Sequence, residues 1–244
     1  MKRRTRRIMF WLAVVVFGVS AFVIVKYAQG YRYDFTAGRF ELTGAVAVTA
    51  NTDAKLFVDD VLVGSLSLLS HRGGDNRLLP GDYSVSLVRD GYSTWKKEAV
   101  VTEGLLTDFP KVLLIPTDEA SLPDLRAEAS RSLTEATLVK PKLASISGDG
   151  WSLPARGILG YMPSDNGDRV LWWTRNELWV LWVRDTDYQP YHVAGDRELV
   201  TRWSVPIVKA AWFRDRDHIV VDLGDGQYRV VETDTRGGTN IVRF

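Results

Sequence analysis

The chain of 244 residues contains no cysteine and only three histidines, His71, His192 and His218. It can therefore form no disulfide framework, no thiolate metal centre and no thiol nucleophile. An excess of either charge is missing too. With 31 basic against 30 acidic side chains, it lacks the positive field of a nucleic-acid binder, so no nucleic-acid partner is expected. Glycine and proline, at 20 and 9 residues, fall far short of a collagen-like chain, and an apolar share of 45% provides for a packed core. Familiar catalytic signatures are also wanting: the sequence has no G-x-S-x-G elbow, no H-E-x-x-H, no P-loop and no G-x-G-x-x-G behind a strand. Sequence alone thus assigns no catalytic, cofactor-binding or metal-ligating residue.

What is present begins with a cationic leader. Residues 1–7 (MKRRTRR) carry five positive charges, and the run from Ile8 to Val25 holds no charged residue. As a helix those eighteen residues rise about 27 Å, close to the thickness of a bilayer's hydrocarbon core. The reading is a short cytoplasmic basic tail over 1–7 and a transmembrane helix over 8–26, with the remainder exported, because positive charge is retained on the cytoplasmic side. A cleaved signal peptide is the rival, but such peptides have shorter apolar regions and a small-x-small site, which KYAQGYRYDF offers only weakly. Residues 27–43 are polar and aperiodic and read as a juxtamembrane spacer. Tyr27, Tyr31, Tyr33 and Phe35 either rest among lipid headgroups or pad the domain that follows.

From Gly44 to about residue 117 the pattern turns to period two, broken by turn signals. Val46 and Val48 alternate with small residues. Ala54 to Val58 and Val61 to Val63 flank Asp59-Asp60 as a tight hairpin, and Tyr83, Val85 and Leu87 alternate behind the turn Leu79-Pro80-Gly81-Asp82. Strands are also expected over Thr94 to Thr102 and Leu105 to Ile115. Several short strands in so few residues make a small antiparallel β-sandwich. The run Ala54-Lys55-Leu56-Phe57-Val58-Asp59-Asp60, then Gly64, then LLPGDYSVSLVRDGYSTW and the closing Leu113-Leu114-Ile115-Pro116 resembles a PEGA domain, a small β-sandwich of bacterial and archaeal envelope proteins. The spacing of Pro80-Gly81, Tyr83, Gly91-Tyr92 and Trp95 carries most of the likeness. The resemblance implies a non-catalytic surface module.

Residues 118–150 lose the alternation and read as a linker. It includes a short helix opening at Ser121-Leu122-Pro123-Asp124, with Leu122, Leu125, Ala129 and Leu133 as a thin apolar stripe, and a loop at SISGDG. Residues 151–244 form a tryptophan-rich β unit, since seven of the nine tryptophans lie between Trp151 and Trp212. Val170 to Thr174 and Glu177 to Val183 make a hairpin apolar on both faces, so both faces must be covered. Ile207–Phe213, His218–Leu223, Gln227–Thr233 and Thr239–Phe244 are four short strands joined by tight turns, and Ile158 to Val183 reads as a weaker copy of the same unit. This resembles propeller-type repeats, about two blades of them. Two blades leave open edges, through which copies could associate.

The chemistry is sparse. The three histidines stand far apart, and His218 reads as a polar residue flanking the turn RDRD. The acid-rich stretches Asp165–Asp168 and Asp222–Gly226 read as hairpin turns, because neither continues into a twelve-residue calcium loop. The tryptophan cluster is the sharper hint, since aromatic faces stack on sugars and fill protein interfaces. Trp151, Tyr161, Trp172, Trp173, Trp179 and Trp182 are the candidate partner-binding residues, with packing between sheets as the other use of the same rings. Trp172 and Trp173 are adjacent on a strand and must point to opposite faces. The resulting expectation is a mainly β, single-pass protein of the cell membrane, without cofactor. Its extracytoplasmic bulk binds or scaffolds an envelope protein or polysaccharide and is not an enzyme. The alternatives are an envelope hydrolase acting on glycan or peptide, or an anchored sensor or assembly subunit.

Overall fold

The computed structural model describes residues 3–138, 147–148, 151–153 and 157–244. The chain forms two compact units, residues 1–46, 75–82 and 100–107 in the first and residues 47–74, 83–99 and 108–244 in the second. Among the described residues the protein is mainly β, with two helices and several sheets.

Helix α1 (Arg3–Ala28) contains the whole uncharged run, and none of its side chains is buried by protein. Its 26 residues rise about 39 Å, long and apolar enough to cross a bilayer. Where the sequence suggests an aperiodic spacer, the structure has a hairpin. Strand β1 (Tyr31–Asp34) pairs antiparallel with β2 (Arg39–Leu42), Tyr31 opposite Leu42 and Asp34 opposite Arg39. Four residues a side are too few to register as alternation. Gly38 at φ +68°, together with an Asp34 carboxylate that accepts the Thr36 N–H at 2.7 Å, closes the turn.

Seven strands follow: β3 (Gly44–Ala50), β4 (Lys55–Val58), β5 (Val61–Ser65), β6 (Arg72–Leu78), β7 (Gly81–Val88), β8 (Trp95–Val101) and β9 (Leu106–Val112). They form one sheet in the order β6-β3-β9 and another in the order β5-β4-β7-β8. The β4–β5 hairpin turns on Asp59 and Asp60, at φ 48° and 62°, the two left-handed residues of a type I′ turn. The expectation of a wholly antiparallel arrangement is corrected at β9. The Ala45 N–H reaches the Leu105 carbonyl at 2.9 Å and the Asn51 N–H reaches the Val112 carbonyl at 3.1 Å. These contacts advance together along both strands, so β9 runs parallel to β3, and β4 to β8 supply the crossover that a parallel pair requires. Strand β8 buries alternate residues, Trp95, Lys97, Ala99 and Val101, and exposes the others.

Helix α2 (Leu122–Glu135) buries Leu125, Ala129 and Leu133 of the stripe expected from sequence, while Leu122 is half-buried against the same core. Its predicted N-terminal cap does not form, because the Ser121 hydroxyl instead donates to the Asp118 carboxylate at 2.9 Å. The helix lies on the C-terminal strands, where burying each leucine contributes about 1.5–3 kcal/mol, enough to hold a helix too short to persist in water.

The remaining strands are β10 (Thr137–Leu138), β11 (Ser147–Gly148), β12 (Trp151–Ser152), β13 (Gly160–Pro163), β14 (Arg169–Trp173), β15 (Glu177–Trp182), β16 (Arg197–Arg202), β17 (Lys209–Phe213), β18 (Asp215–Asp222), β19 (Tyr228–Glu232) and β20 (Ile241–Arg243). The expected SISGDG loop is described only at Ser147 and Gly148, which pair with Ser152 and Trp151; its other residues lie outside the described part. Two antiparallel meanders result, β13-β14-β15-β16 with β10 on its edge, and β17-β18-β19-β20. One core joins them to α2, with Leu171, Trp173, Leu178, Val180 and Trp182 from the first meander and Phe213, Ile219, Val221 and Val231 from the second. His218 belongs to this interior rather than flanking a turn, because β18 begins at Asp215 and takes up most of the expected RDRD turn.

A close approach fixes the register of the first meander. Gly160 stands opposite Trp173, and a Cβ on Gly160 would lie 2.1 Å from the indole ring. Gly160→Ala is expected to destabilise the fold by about 1–3 kcal/mol through overpacking. The check is a lower urea midpoint with loss of near-ultraviolet circular dichroism, whereas Gly167→Ala, where the added methyl meets open space, is resisted only by its turn φ of +69°.

Candidate functional site

Period-two alternation divides the six predicted aromatic residues between the two faces of one sheet. Trp173 and Trp182 point into the main core, at 0% and 2% exposure, and present no surface to a partner. Trp172 and Trp179 occupy opposite positions on β14 and β15 and project to the other face. Trp151 and Tyr161 join them there, with Leu153, Ile158, Val170 and Leu181 packed beneath. The Trp172 and Trp179 rings stack with centroids 5.2 Å apart and planes 8° from parallel, and Trp151 meets Tyr161 at 6.1 Å. Trp151, Tyr161 and Trp179 are half-buried, while Trp172 is covered. A shallow hollow of about 350 Å³ opens beside Trp151, bordered by Ser152, Gly195 and Arg197. Arg197 donates to the Ser152 carbonyl at 2.9 Å and so pins strand β12 across the sheet edge. Trp179 donates its indole N–H to Glu177 at 3.1 Å, which holds the ring in place, and Glu177 also accepts from Arg202.

Beneath this face lies a network of buried charge. Lys97, 1% exposed, places its ammonium 3.6 Å from Glu232 Oε2 and donates to the Asp234 carbonyl. The Trp95 indole N–H donates to the same Glu232 oxygen at 3.0 Å. Burial pushes the Glu232 carboxyl above its ordinary range, against the pull of Lys97 and His218. Arg169 donates to Asp217 at 2.7 Å and also to the Tyr188 hydroxyl, which in turn donates to Asp217 at 2.8 Å. Burial, with Asp217 beside it, pushes the Tyr188 hydroxyl up to about 12. His192 lies flat on Trp182 with ring centroids 3.6 Å apart, and burial holds its imidazole below the usual range despite nearby Asp196. Arg169, Trp182, Tyr188, His192 and Glu232 surround a cavity of about 20 Å³, room for a single water molecule.

A third feature is an open groove of about 620 Å³ between α2 and the meanders, bordered by Glu128, Glu135, Asp165, Trp212, Arg214 and Asp215 among others. Much of its charge is committed to the fold. Arg214 grips Glu128 through two hydrogen bonds of 2.9 and 2.8 Å, Arg216 pairs with Asp168 at 2.8 Å, and Asp215 bonds His218 Nδ1 at 2.9 Å. Among the described residues no three His, Asp or Glu side chains converge as a metal site requires. Asp165–Asp168 and Asp222–Gly226 form hairpin turns, with Gly167, Gly224 and Gly226 at positive φ.

Sequence reasoning missed the buried charges. Only Lys97 carried a signal, because the alternation that buries Trp95 and Ala99 puts it on the same face. No protein-family model matches the chain, and no curated protein matches it either.

Two outcomes follow from the charge network. Lys97→Met strands Glu232 without its cation, at an expected cost of about 3–5 kcal/mol, and adding Glu232→Gln to the same chain restores much of that loss in urea unfolding. The second concerns pH. Burial pulls the His218 imidazole down, but its bond to Asp215, with Glu232 and Asp217 near, outweighs burial and raises it. The charged pair therefore contributes in full below the free imidazole range near pH 6.5, and the contribution fades as pH rises through the folded value. The stability gap between the natural chain and His218→Gln should narrow from pH 5.5 to 8.5; a gap that widens would reverse the assignment.

Proposed function

We propose that this is a single-pass membrane protein whose N-terminus is cytoplasmic and whose β-rich bulk lies on the other side, where it binds or scaffolds a protein or polysaccharide of the cell envelope without catalysis. Helix α1 supports the anchor, and the five leading positive charges support its orientation. We read the 44–117 region as a PEGA-like sandwich and the two C-terminal meanders as propeller-like blades. The single observation that carries the binding role is the aromatic face: Trp151, Tyr161 and Trp179 are partly exposed, Trp179 stacks on the covered Trp172, and Trp151 borders a hollow. Flat, amphipathic rings preset by packing bind with little loss of conformational freedom, which is why aromatic residues dominate interface energetics.

A hydrolytic role for the groove beside α2 is the second reading, favoured by Glu135 and Asp165 along its border. The two readings separate in one experiment with the full chain in detergent. Capture from envelope extract and tryptophan-fluorescence titration with N-acetylglucosamine oligomers are followed for the natural chain, Trp179→Ala and Asp165→Asn. Binding predicts a loss of roughly tenfold in Trp179→Ala, about 1.4 kcal/mol, with Asp165→Asn unchanged. Turnover of the oligomers that disappears in Asp165→Asn would make the groove an active site and defeat the binding role.

A further inference from the structure

The hairpin β1–β2 follows α1 after only Gln29 and Gly30, and it does not stand away from the helix. The Phe40 ring packs edge-on against Phe22 at 5.9 Å and Tyr27 at 6.3 Å. Phe22 lies three residues inside the end of the uncharged run at Val25, a depth of about 4.5 Å along the helix. A strand that touches Phe22 is therefore level with the outermost part of any bilayer that α1 crosses. Three further observations fit that position. Phe35, at the hairpin turn, is 89% exposed and meets the Tyr33 ring edge-on at 5.1 Å. Two cations at this level lie on aromatic faces, Lys26 over Tyr31 at 4.1 Å and Arg32 over Tyr27 at 4.6 Å, while Arg39 of β2 stays exposed and pairs with Glu41. The two strands satisfy one another's inward-facing backbone groups, and Thr43 ties the hairpin back to Gly30 through its N–H at 3.0 Å and its hydroxyl at 2.8 Å. Their outer edges keep polar backbone groups that hydrocarbon would not tolerate and headgroups and water would.

We propose that the β1–β2 hairpin is a membrane-interface element, seated among phospholipid headgroups with Phe35, Tyr33 and Phe40 toward the upper acyl chains. It sets the depth and rotation of α1, in the manner of interfacial aromatic residues generally. The proposal rests on the anchoring of α1, and the test separates the two.

The absence of native cysteine allows single labels without background. Spin labels are placed one at a time on Val16→Cys, Ala37→Cys and Asp90→Cys in the full chain, reconstituted in phosphatidylcholine–phosphatidylglycerol vesicles. Collision with oxygen, which partitions into lipid, is compared with collision with a water-soluble nickel chelate. The expected result is an oxygen-rich Val16 site, a nickel-rich Asp90 site and an Ala37 site with nickel access roughly threefold or more below Asp90 and oxygen access well above it. Phe35→Ser in the Ala37→Cys chain should raise nickel access toward the Asp90 level; an Ala37 signal unmoved by that change would overturn the role given to the ring. Nickel access at Ala37 equal to that at Asp90, with Val16 still in lipid, would overturn the hairpin's seat while leaving the anchor intact. Shielding of Ala37 from both reagents would assign the hairpin to a protein partner instead. A nickel-rich Val16 would fail the anchor itself.

Discussion

Lys97 decides how the second unit holds together. A lysine ammonium withdrawn from water is tolerable only with a counter-charge and hydrogen-bond acceptors in reach. Here Glu232 and the Asp234 carbonyl supply them, with Trp95 completing the Glu232 oxygen. These partners are separated by well over a hundred residues, so β8 and β19 cannot part without exposing an unpaired charge to an apolar surround. Removing either partner alone would leave the other buried and uncompensated, which is the costly arrangement. Arg236 reinforces the joint by donating to the Asp108 carbonyl at 2.7 Å and to Gln189 at 2.9 Å. Strand β9 and the loop after β15 are thereby drawn into the same framework.

That framework bears on the aromatic face. Adjacent tryptophans on β14 serve opposite purposes: Trp173 fills the core against a residue with no side chain, Gly160, and Trp172 stacks outward on Trp179. The outward rings are backed by the packed inward ones. The same sheet carries Arg169 and Trp182 on its inner side, where Asp217, Tyr188 and His192 cover them. A face with so little freedom left in its backing has little ordering left to lose on contact, which is the property the proposed binding role requires.

Much of the fold was legible in the sequence, and the parts that were not share a physical reason. The uncharged run lies within α1, the stripe Leu122-Leu125-Ala129-Leu133 lies on α2, and the four closing strands overlap β17 to β20, the second of them beginning at Asp215, three residues before the expected His218. Strand β6 reads Arg-Gly-Gly-Asp-Asn-Arg-Leu, with no apolar face, because it is a polar strand at a sheet edge and takes its conformation from β3. The hairpin at Tyr31 to Leu42 is too short for alternation to rise above chance, and the parallel course of β9 is a matter of topology that no local pattern encodes. Of the candidate site, the alternation correctly separated Trp172 from Trp173 but not which side would be the outer one. Glu232, Arg169 and Asp217 were invisible for another reason. Charged residues read as surface, and their burial depends on partners brought together only by the tertiary fold.

The near-parallel indoles of Trp172 and Trp179 have an optical consequence. Transition dipoles at that separation exchange excitation, so the circular dichroism of the pair depends on the angle at which one indole is turned on the other. Elsewhere in the unit, the imidazole of His192 lies against Trp182 closely enough to drain that ring's excited state when it gains a proton. The molecule thus carries two unlabelled chromophoric gauges, one sensitive to the order of its outer face and one to the protonation of its interior.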